Sequence, residues 1–343
     1  MMRTAPFDLI TVDDVEAASN VLLRLGLIDS GEPIESMGRA GEGNMNVVIR
    51  IVTPRRSLIL KQSRPWVEKY PQIDAPANRI LSEIDFYRRI EGYESIRQRV
   101  PHMMGYDQEA HILVLEDLGE ANDYTDLYDR RAPDELPLDE AINWLAKLHA
   151  IELTPTERAQ VGNRELRQLN HAHIFVIPLQ SPSALSLDSI CDGLEALADG
   201  VRRNPIVAGA ADKLGKRYLV TGDHLLHGDF YPGSWLKTES GLRVIDPEFT
   251  FAGPVEFDLG ILAAHRVLAG GGPESPELIA GSYLRAGGGT LDKSLLSGFF
   301  AMEIIRRLIG VAQLPLSANL MQRAKMLEIA VSALEKWQVA SGK

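Results

Sequence analysis

Between Ile34 and Gln62 the chain alternates apolar and polar positions at the spacing of strands. Val47, Ile49 and Ile51 fall on one side, and Val48, Arg50 and Val52 on the other. SLILK follows as a short β-rich run that ends on a lysine. Together they predict strand, glycine turn, strand, short turn, strand, a small antiparallel sheet. Before it, residues 11–26 read as an amphipathic helix. After it, residues 76–92 place apolar side chains at 80, 81, 84, 87 and 90, close to a helical period. HILVLEDLG, residues 111–119, reads as a buried strand running into a turn.

Beyond this point helical patterns dominate. LDEAINWLAKLHAI (138–151) carries Ile142, Leu145, Leu148 and His149 on one side, and LSGFFAMEIIRRLIGVAQL and LMQRAKMLEIAVSALEKWQ predict long C-terminal helices. The exception is residues 225–262, where SWLKT and LRVID are short β-like runs among glycines and acidic residues. The expected fold class is therefore α+β. A small N-terminal antiparallel sheet lobe (1–118) precedes a larger, mainly helical lobe (119–343), with a cleft between them as the expected ligand site. No internal repeat and no low-complexity segment interrupts this pattern.

Composition narrows the function classes. Apolar residues make up 45% and charged residues 24% of the 343, an ordinary globular balance. A formal charge of −11 argues against a partner with a dense phosphate backbone. The single cysteine, Cys191, permits no internal disulfide, which fits a reducing compartment, and its plainest role is that of a small apolar side chain. MMRTAPFDLITVDD lacks the apolar core of a secretory signal, and no apolar run reaches the roughly 18 residues of a membrane span. The expected setting is the cytoplasm, with a small-molecule partner, neither nucleic acid nor membrane, and a homodimer left open.

The candidate chemistry follows the chain in order. GRAGEGNMN, residues 38–46, has three glycines in six positions, which let the backbone around Gly41 and Gly43 approach a ligand and aim N–H groups at phosphate oxygens. It is not a Walker A loop, and a glycine hairpin turn explains it equally well. Lys61 ends the third strand, where an ammonium can reach nucleotide phosphates, and Glu83 on the next helix can orient it through an ion pair. Alone, each reads as a solvated surface charge. In HGD, Asp229 sits in a short turn after an apolar pair and suits proton acceptance from an attacking hydroxyl. Seventeen residues later, VIDPE sets Asp246 and Glu248 two apart around a stiff proline, a spacing at which two carboxylates can share Mg²⁺. The plain alternative for all three is turn or helix capping. Asp258 in EFDLG reads as a helix cap or an anchor for loop N–H groups, and His227 as a structural histidine.

These residues resemble a known group. HGDFYPGSWL, VIDPEF and FDLG look like the aminoglycoside phosphotransferase/choline kinase superfamily, whose members have a protein-kinase-like fold. LAKLHA (145–150) resembles the helix before its catalytic loop, and LVLEDLG (113–119) its interlobe hinge. Within that superfamily GEGNMNVVIRI, LILKQ, IDPEF and IIRRLIGVA are most similar to the methylthioribose kinase family, over about residues 34–335. The resemblance implies an ATP- and Mg²⁺-dependent small-molecule kinase acting on a methylthioribose-like sugar, or alternatively on another small alcohol such as an aminoglycoside, choline, homoserine or another sugar. It makes Asp229 the base, Asp246, Glu248 and Ser234 the metal ligands, and Lys61 the phosphate contact. Only through it do Asn44 and Asn46 join Gly41 and Gly43 as nucleotide-loop residues. Glu116 and Leu118 would lie at the adenine hinge. Arg306 and Arg307 would approach the substrate or the transferred phosphate; as helical neighbours about 100° apart, only one of them is expected to reach the cleft well. The family usually has Leu-His-Thr-Gly-Ser after the base, whereas Phe230, Tyr231, Pro232 and Gly233 precede Ser234 here, so Tyr231 is expected to shape the acceptor pocket. The chain is also shorter than the family's usual length.

Three other readings compete. His171, His173, His224, His227, Asp223 and Asp229 could form a metallohydrolase site, with HAH on a strand presenting two imidazoles to one face. That reading leaves Lys61, Glu83 and IDPE unexplained, and His171 and His173 can instead line the acceptor cleft. A non-catalytic kinase-like binding protein would lack the carboxylates or Lys61, which are all present. A protein kinase would carry His-Arg-Asp and Asp-Phe-Gly motifs, and the chain has neither.

Overall fold

A computed structural model describes residues 5, 7–41, 45–183 and 185–341. The chain divides into two compact units. The first comprises residues 1–121 together with 243–249, and the second comprises residues 122–242 and 250–343. The expected division, a single boundary near residue 118, does not account for residues 243–249.

The first unit is built on an antiparallel sheet of five strands. These are β1 (Ser36–Arg39), β2 (Val47–Val52), β3 (Ser57–Gln62), β4 (Met103–Asp107) and β5 (Ile112–Glu116), in the order β1-β2-β3-β5-β4. Register follows the alternation: Ile49 pairs with Leu60 and Ile51 with Leu58, which stacks the apolar positions of neighbouring strands on one face. That face packs against Ala18, Val21 and Leu22 of the helix Val15–Arg24. The helix starts at Val15 rather than at residue 11 because the Asp14 carboxylate caps it, accepting the Ala17 N–H at 3.0 Å. Such a cap stabilises by about 1 kcal/mol.

The other side of β3 carries Ile59 and Lys61, and the helix Arg79–Ile90 supplies their polar neighbours. This helix buries Ile80, Ile84 and Tyr87, and beside them Arg79, Glu83, Phe86 and Ile90. Positions 79, 83, 86 and 90 form a second stripe at helical spacing, so two charged residues enter the interior with the apolar ones. Strand β4 has no counterpart in the sequence pattern. All five of its residues are only half-buried, and a bulge falls between Met103 and Gly105, so no alternation marks it.

The second unit is mainly helical. All thirteen residues of the helix Glu256–Leu268 are buried, as expected of a helix that is apolar around most of its circumference. It packs on Lys293–Ile309, which Asp292 caps by accepting the N–H groups of Ser294 and Leu295. The C-terminal helix Leu320–Ser341 lies against the latter. Strands β6 (His224–Leu226), β7 (Trp235–Thr238), β8 (Gly241–Val244) and β9 (Phe251–Gly253) form two small pairs, β6 with β9 and β7 with β8. The chain leaves the second unit within β8 and returns to it at Thr250.

Candidate active site

In the first unit, register fixes Lys61 opposite Leu113 of β5, and both its ammonium and its stem are buried. Nζ lies 2.6 Å from Glu83 Oε1 and 2.6 Å from Asp246 Oδ1. Burial alone would lower this ammonium, but Asp246 and Glu83 outweigh it and hold Lys61 well above its ordinary value. Burial pushes Glu83 up to about 7 against the pull of Lys61. Its second oxygen, Oε2, is buried with no hydrogen-bond partner, and the ammonium is shared with Asp246, so the pairing compensates only part of the desolvation.

Asp246 stands between β8 and the 3₁₀ turn Pro247–Phe249 with φ at +60°. Aspartate tolerates this left-handed region better than most residues, although the following proline disfavours helical backbone at its position. The strained backbone leaves 47% of the side chain exposed while one oxygen meets Lys61. Glu248, by contrast, is buried. Its Oε2 accepts the Asn46 amide at 3.0 Å and lies 3.5 Å from Arg79 Nε. Burial raises its carboxyl, with Arg79 and Lys61 opposing.

Arg79 is the residue that the sequence reading missed. Its Nε donates to Asn46 Oδ1 at 2.9 Å, and Nη2 to the Met45 carbonyl at 2.6 Å. Nη1 donates to the carbonyls of Arg64 (2.6 Å) and Pro76 (2.9 Å). One buried guanidinium therefore ties the end of the glycine loop to Glu248 and to the segment after β3. Gly41 takes φ +122° with open space where a Cβ would stand; Gly43 and Asn44 lie outside the described residues. Glu116 uses its carboxylate within the unit, accepting the His102 N–H at 3.1 Å with Arg243 Nη2 at 3.4 Å. The neighbouring Asp117 grips Arg50 through two bonds, at 2.7 and 3.1 Å, and accepts the Gly119 N–H at 3.0 Å. Asp117 thus secures the turn that holds half-buried Leu118.

In the second unit, Asp229 follows β6 in the turn His227–Gly228–Asp229. Asp258 holds that turn, accepting the N–H groups of His227 at 2.8 Å and Gly228 at 3.0 Å. It stands in the first turn of its helix rather than capping it, so of the two expected roles it takes the loop anchor. Trp144 stacks on Phe230 at 5.5 Å, and Phe230 is fully buried; its departure from the family pattern is filled by core packing. The Ser234 hydroxyl donates to the Asp229 carbonyl at 3.0 Å.

The Asp229 carboxylate keeps one oxygen without a hydrogen bond. That oxygen, Oδ1, is buried 3.7 Å from Arg306 Nη1 and 3.5 Å from Arg307 Nη2. Burial raises its carboxyl, and the two guanidiniums oppose that rise. Both arginines approach the Asp229 carboxylate although they are successive residues on one helix. The reason is Glu303, one turn earlier. Its Oε2 meets Arg306 Nη1 at 3.1 Å and its Oε1 meets Arg307 Nε at 2.5 Å, drawing the i+3 and i+4 side chains together.

Arg307 also lies over the Tyr231 ring, 4.6 Å from its centroid, and the ring borders His265 at 5.1 Å. Gly233 makes room for it, since a Cβ there would fall 2.6 Å from the ring. His171 and His173 are not on a strand. His171 ends the helix Arg164–His171, and His173 lies in the π turn Ala172–Val176. Burial lowers both, and only His173 is also lowered by Arg306; the ring of His171 packs on Gly215 and Phe175 instead. Among the described residues, no group of three or more His, Cys, Asp and Glu side chains is arranged to hold a metal ion.

Residues 38–298 match the phosphotransferase enzyme family. Among curated relatives, the methylthioribose kinase of Geobacillus sp. (strain WCH70) is 27% identical over 268 residues, covering 74% of this chain. That of Exiguobacterium sibiricum is 28% identical over 265 residues, again 74% of this chain. The matched region spans only 64% and 66% of those relatives' own lengths. A spectinomycin phosphotransferase solved with ADP and spectinomycin superposes with a TM-score of 0.52 at 14% identity, covering 93% of this chain and 98% of that one. A Plasmodium vivax ethanolamine kinase gives a TM-score of 0.54 at 12% identity, covering 93% and 86%. These likenesses show a protein-kinase-like fold, the α+β class that the sequence pattern and the resemblance predict. With three quarters of its length matched, the chain belongs to the phosphotransferase enzyme family.

Proposed function

We propose that the protein transfers the γ-phosphoryl group of ATP to a hydroxyl of an uncharged, methylthioribose-like sugar. The observation that carries this reading is the Asp229 carboxylate, with one oxygen free of hydrogen bonds and two guanidiniums beside it. A carboxylate so placed accepts the proton of an acceptor hydroxyl as the oxygen–phosphorus bond forms. The methylthioribose kinase relatives support the choice of an uncharged sugar.

In the first unit, Lys61 would offset nucleotide phosphate charge, and Glu83 would hold its ammonium in place. The glycine loop, at Gly41, Gly43, Asn44 and Asn46, would approach the phosphates, and Glu116 and Leu118 would border the adenine. The donor set fits Mg²⁺: Asp246 presents a half-exposed carboxylate, Glu248 a buried one, and both are hard oxygen ligands. Asp246 and Glu248 would hold the ion, and Ser234 keeps oxygen lone pairs for the ligand role that the resemblance implies. When bound, Mg²⁺ neutralises developing phosphate charge. Arg306, Arg307, Tyr231 and His173 would border the acceptor, whereas His171, packed on Gly215, is the least suited of the expected substrate residues.

The test is Mg²⁺-dependent ADP release with MgATP and, in turn, methylthioribose, another pentose, choline, homoserine and an aminoglycoside. Methylthioribose is expected to give the highest kcat/KM. Asp229→Ala is expected to lower kcat by about 10²–10⁴-fold with the ATP KM little changed. Undiminished turnover in that variant would remove Asp229 from the mechanism, and preference for choline would remove the uncharged-sugar assignment.

A further inference from the structure

Behind the Asp229 arginines runs a buried polar chain that the proton-transfer reading does not use. It begins at the Tyr128 hydroxyl, which donates to His265 Nδ1 at 2.5 Å. His265 Nε2 then donates to Glu303 Oε1 at 3.1 Å, which assigns the imidazole to one neutral tautomer. Glu303 in turn takes Arg307 Nε on Oε1 and Arg306 Nη1 on Oε2. Its side chain is 2% exposed, and both oxygens are occupied.

We propose that Glu303 is a positioning residue for phosphoryl transfer: it holds the Arg306 and Arg307 guanidiniums side by side against Asp229, and Tyr128 and His265 fix it from behind. The proposal rests on the phosphotransferase reading. Its physical basis is charge and spacing. Two buried guanidiniums on successive residues repel each other, and Asp229, 18% exposed and 3.5–3.7 Å away, satisfies neither with a hydrogen bond. Glu303 sits three and four residues back on the same helix and takes one bond from each. With Asp229 it balances the cluster, two carboxylates against two guanidiniums. His265, neutral between Tyr128 and Glu303, adds direction without adding charge. The other groups facing the cluster are Tyr231 and His227 from the Asp229 loop, Tyr218 from the helix Pro205–Leu219, and His173 from the π turn. None of them offers the arginines a carboxylate.

The test uses the full chain with ¹⁵N-labelled arginine, comparing wild type, Glu303→Gln and Glu303→Asp, with Arg306→Lys and Arg307→Lys to assign signals. In wild type the Arg307 Nε–H should exchange slowly with solvent. In E303Q, which keeps volume but removes charge, its exchange should accelerate about tenfold or more. In the same variant kcat with MgATP and methylthioribose should fall on the order of 10²-fold with the ATP KM within about twofold. E303D, which restores the charge on a shorter stem, should recover much of both. An E303Q kcat and exchange rate like wild type would overturn the proposal. So would a loss of kcat accompanied by an equal rise in ATP KM and no recovery in E303D, the pattern of a merely structural residue. If wild type fails to turn over methylthioribose, the acceptor assignment falls, and the arginine exchange still decides for or against Glu303. If E303Q does not fold, E303D decides: several-fold lower kcat at unchanged ATP KM upholds the positioning role, and wild-type kcat removes it.

Discussion

His265 is buried among Tyr128, Tyr231, Glu303, Arg306 and Arg307, and burial pushes its imidazole down to about 4, against the pull of the Glu303 hydrogen bond. The unfolded chain takes up this proton near the ordinary histidine value of about 6.5, and the folded chain does not until about 4. The unfolded state therefore binds more protons through that window, and folding stability falls as pH drops across it. The size is on the order of 3 kcal/mol for a fully buried imidazole shifted this far. His265→Asn should lose less stability than wild type between pH 6.5 and 4.5, read as the difference in urea midpoints at each pH. Equal losses would show that His265 is not kept neutral. This histidine reads from the sequence as one more apolar-helix position in EFDLGILAAHRV, because nothing local announces Tyr128 or Glu303, which stand 137 and 38 residues away. The Lys61–Glu83 ion pair and the turn that carries Asp229 were readable because strand ends, turns and motif order mark them. Arg79 was not, since an arginine at the start of a helix ordinarily extends to water and its partners are mostly backbone carbonyls.

At the scale of elements, the helix Glu256–Leu268 carries both Asp258, which grips the Asp229 loop, and His265, whose bond to Glu303 needs the close approach of Lys293–Ile309. Gly260 permits that approach. A Cβ there would stand 2.9 Å from Phe299 Cβ and 2.9 Å from the Phe300 backbone nitrogen, and backbone cannot give way as a side-chain tip can. Gly260→Ala should therefore destabilise by about 1–3 kcal/mol despite alanine's better helix propensity. Thermal melts check this; an unchanged or higher Tm would mean that the helices separate without cost. The elements themselves were legible wherever periodicity was strong. Val47, Ile49, Ile51 and Leu58, Leu60 gave β2 and β3, and the long apolar runs gave the C-terminal helices. Legibility failed where tertiary context overrides the pattern. Half-buried MMGYD shows no alternation, and HAH, which could present two imidazoles on a strand, is helical because it continues the helix Arg164–His171 without a break.

At the scale of the whole molecule, the first unit is not one stretch of chain. Residues 243–249 belong to it, and they bring Asp246 to Lys61 and Glu248 to Asn46 and Arg79. Without them Lys61 keeps only Glu83, and Arg79 keeps carbonyls but no carboxylate at short range. Removing one partner of a buried charge pair costs about 3–5 kcal/mol. The buried Glu248–Arg79 pair is such a loss and half-exposed Asp246 adds less, together a large share of the stability expected of a unit this size, roughly 0.05–0.15 kcal/mol per residue. A fragment of residues 1–121 should consequently show no cooperative thermal transition and no calorimetric binding of MgATP, even though it holds the complete five-stranded sheet, the glycine loop and Lys61. Full-length Glu248→Gln, which keeps the Asn46 contact while removing the charge, should still melt cooperatively, with a lower Tm and weaker MgATP binding. If the fragment melts cooperatively and binds MgATP as the full chain does, the seven returning residues contribute neither to the stability of the unit nor to its nucleotide site, and Asp246 and Glu248 lose their proposed role.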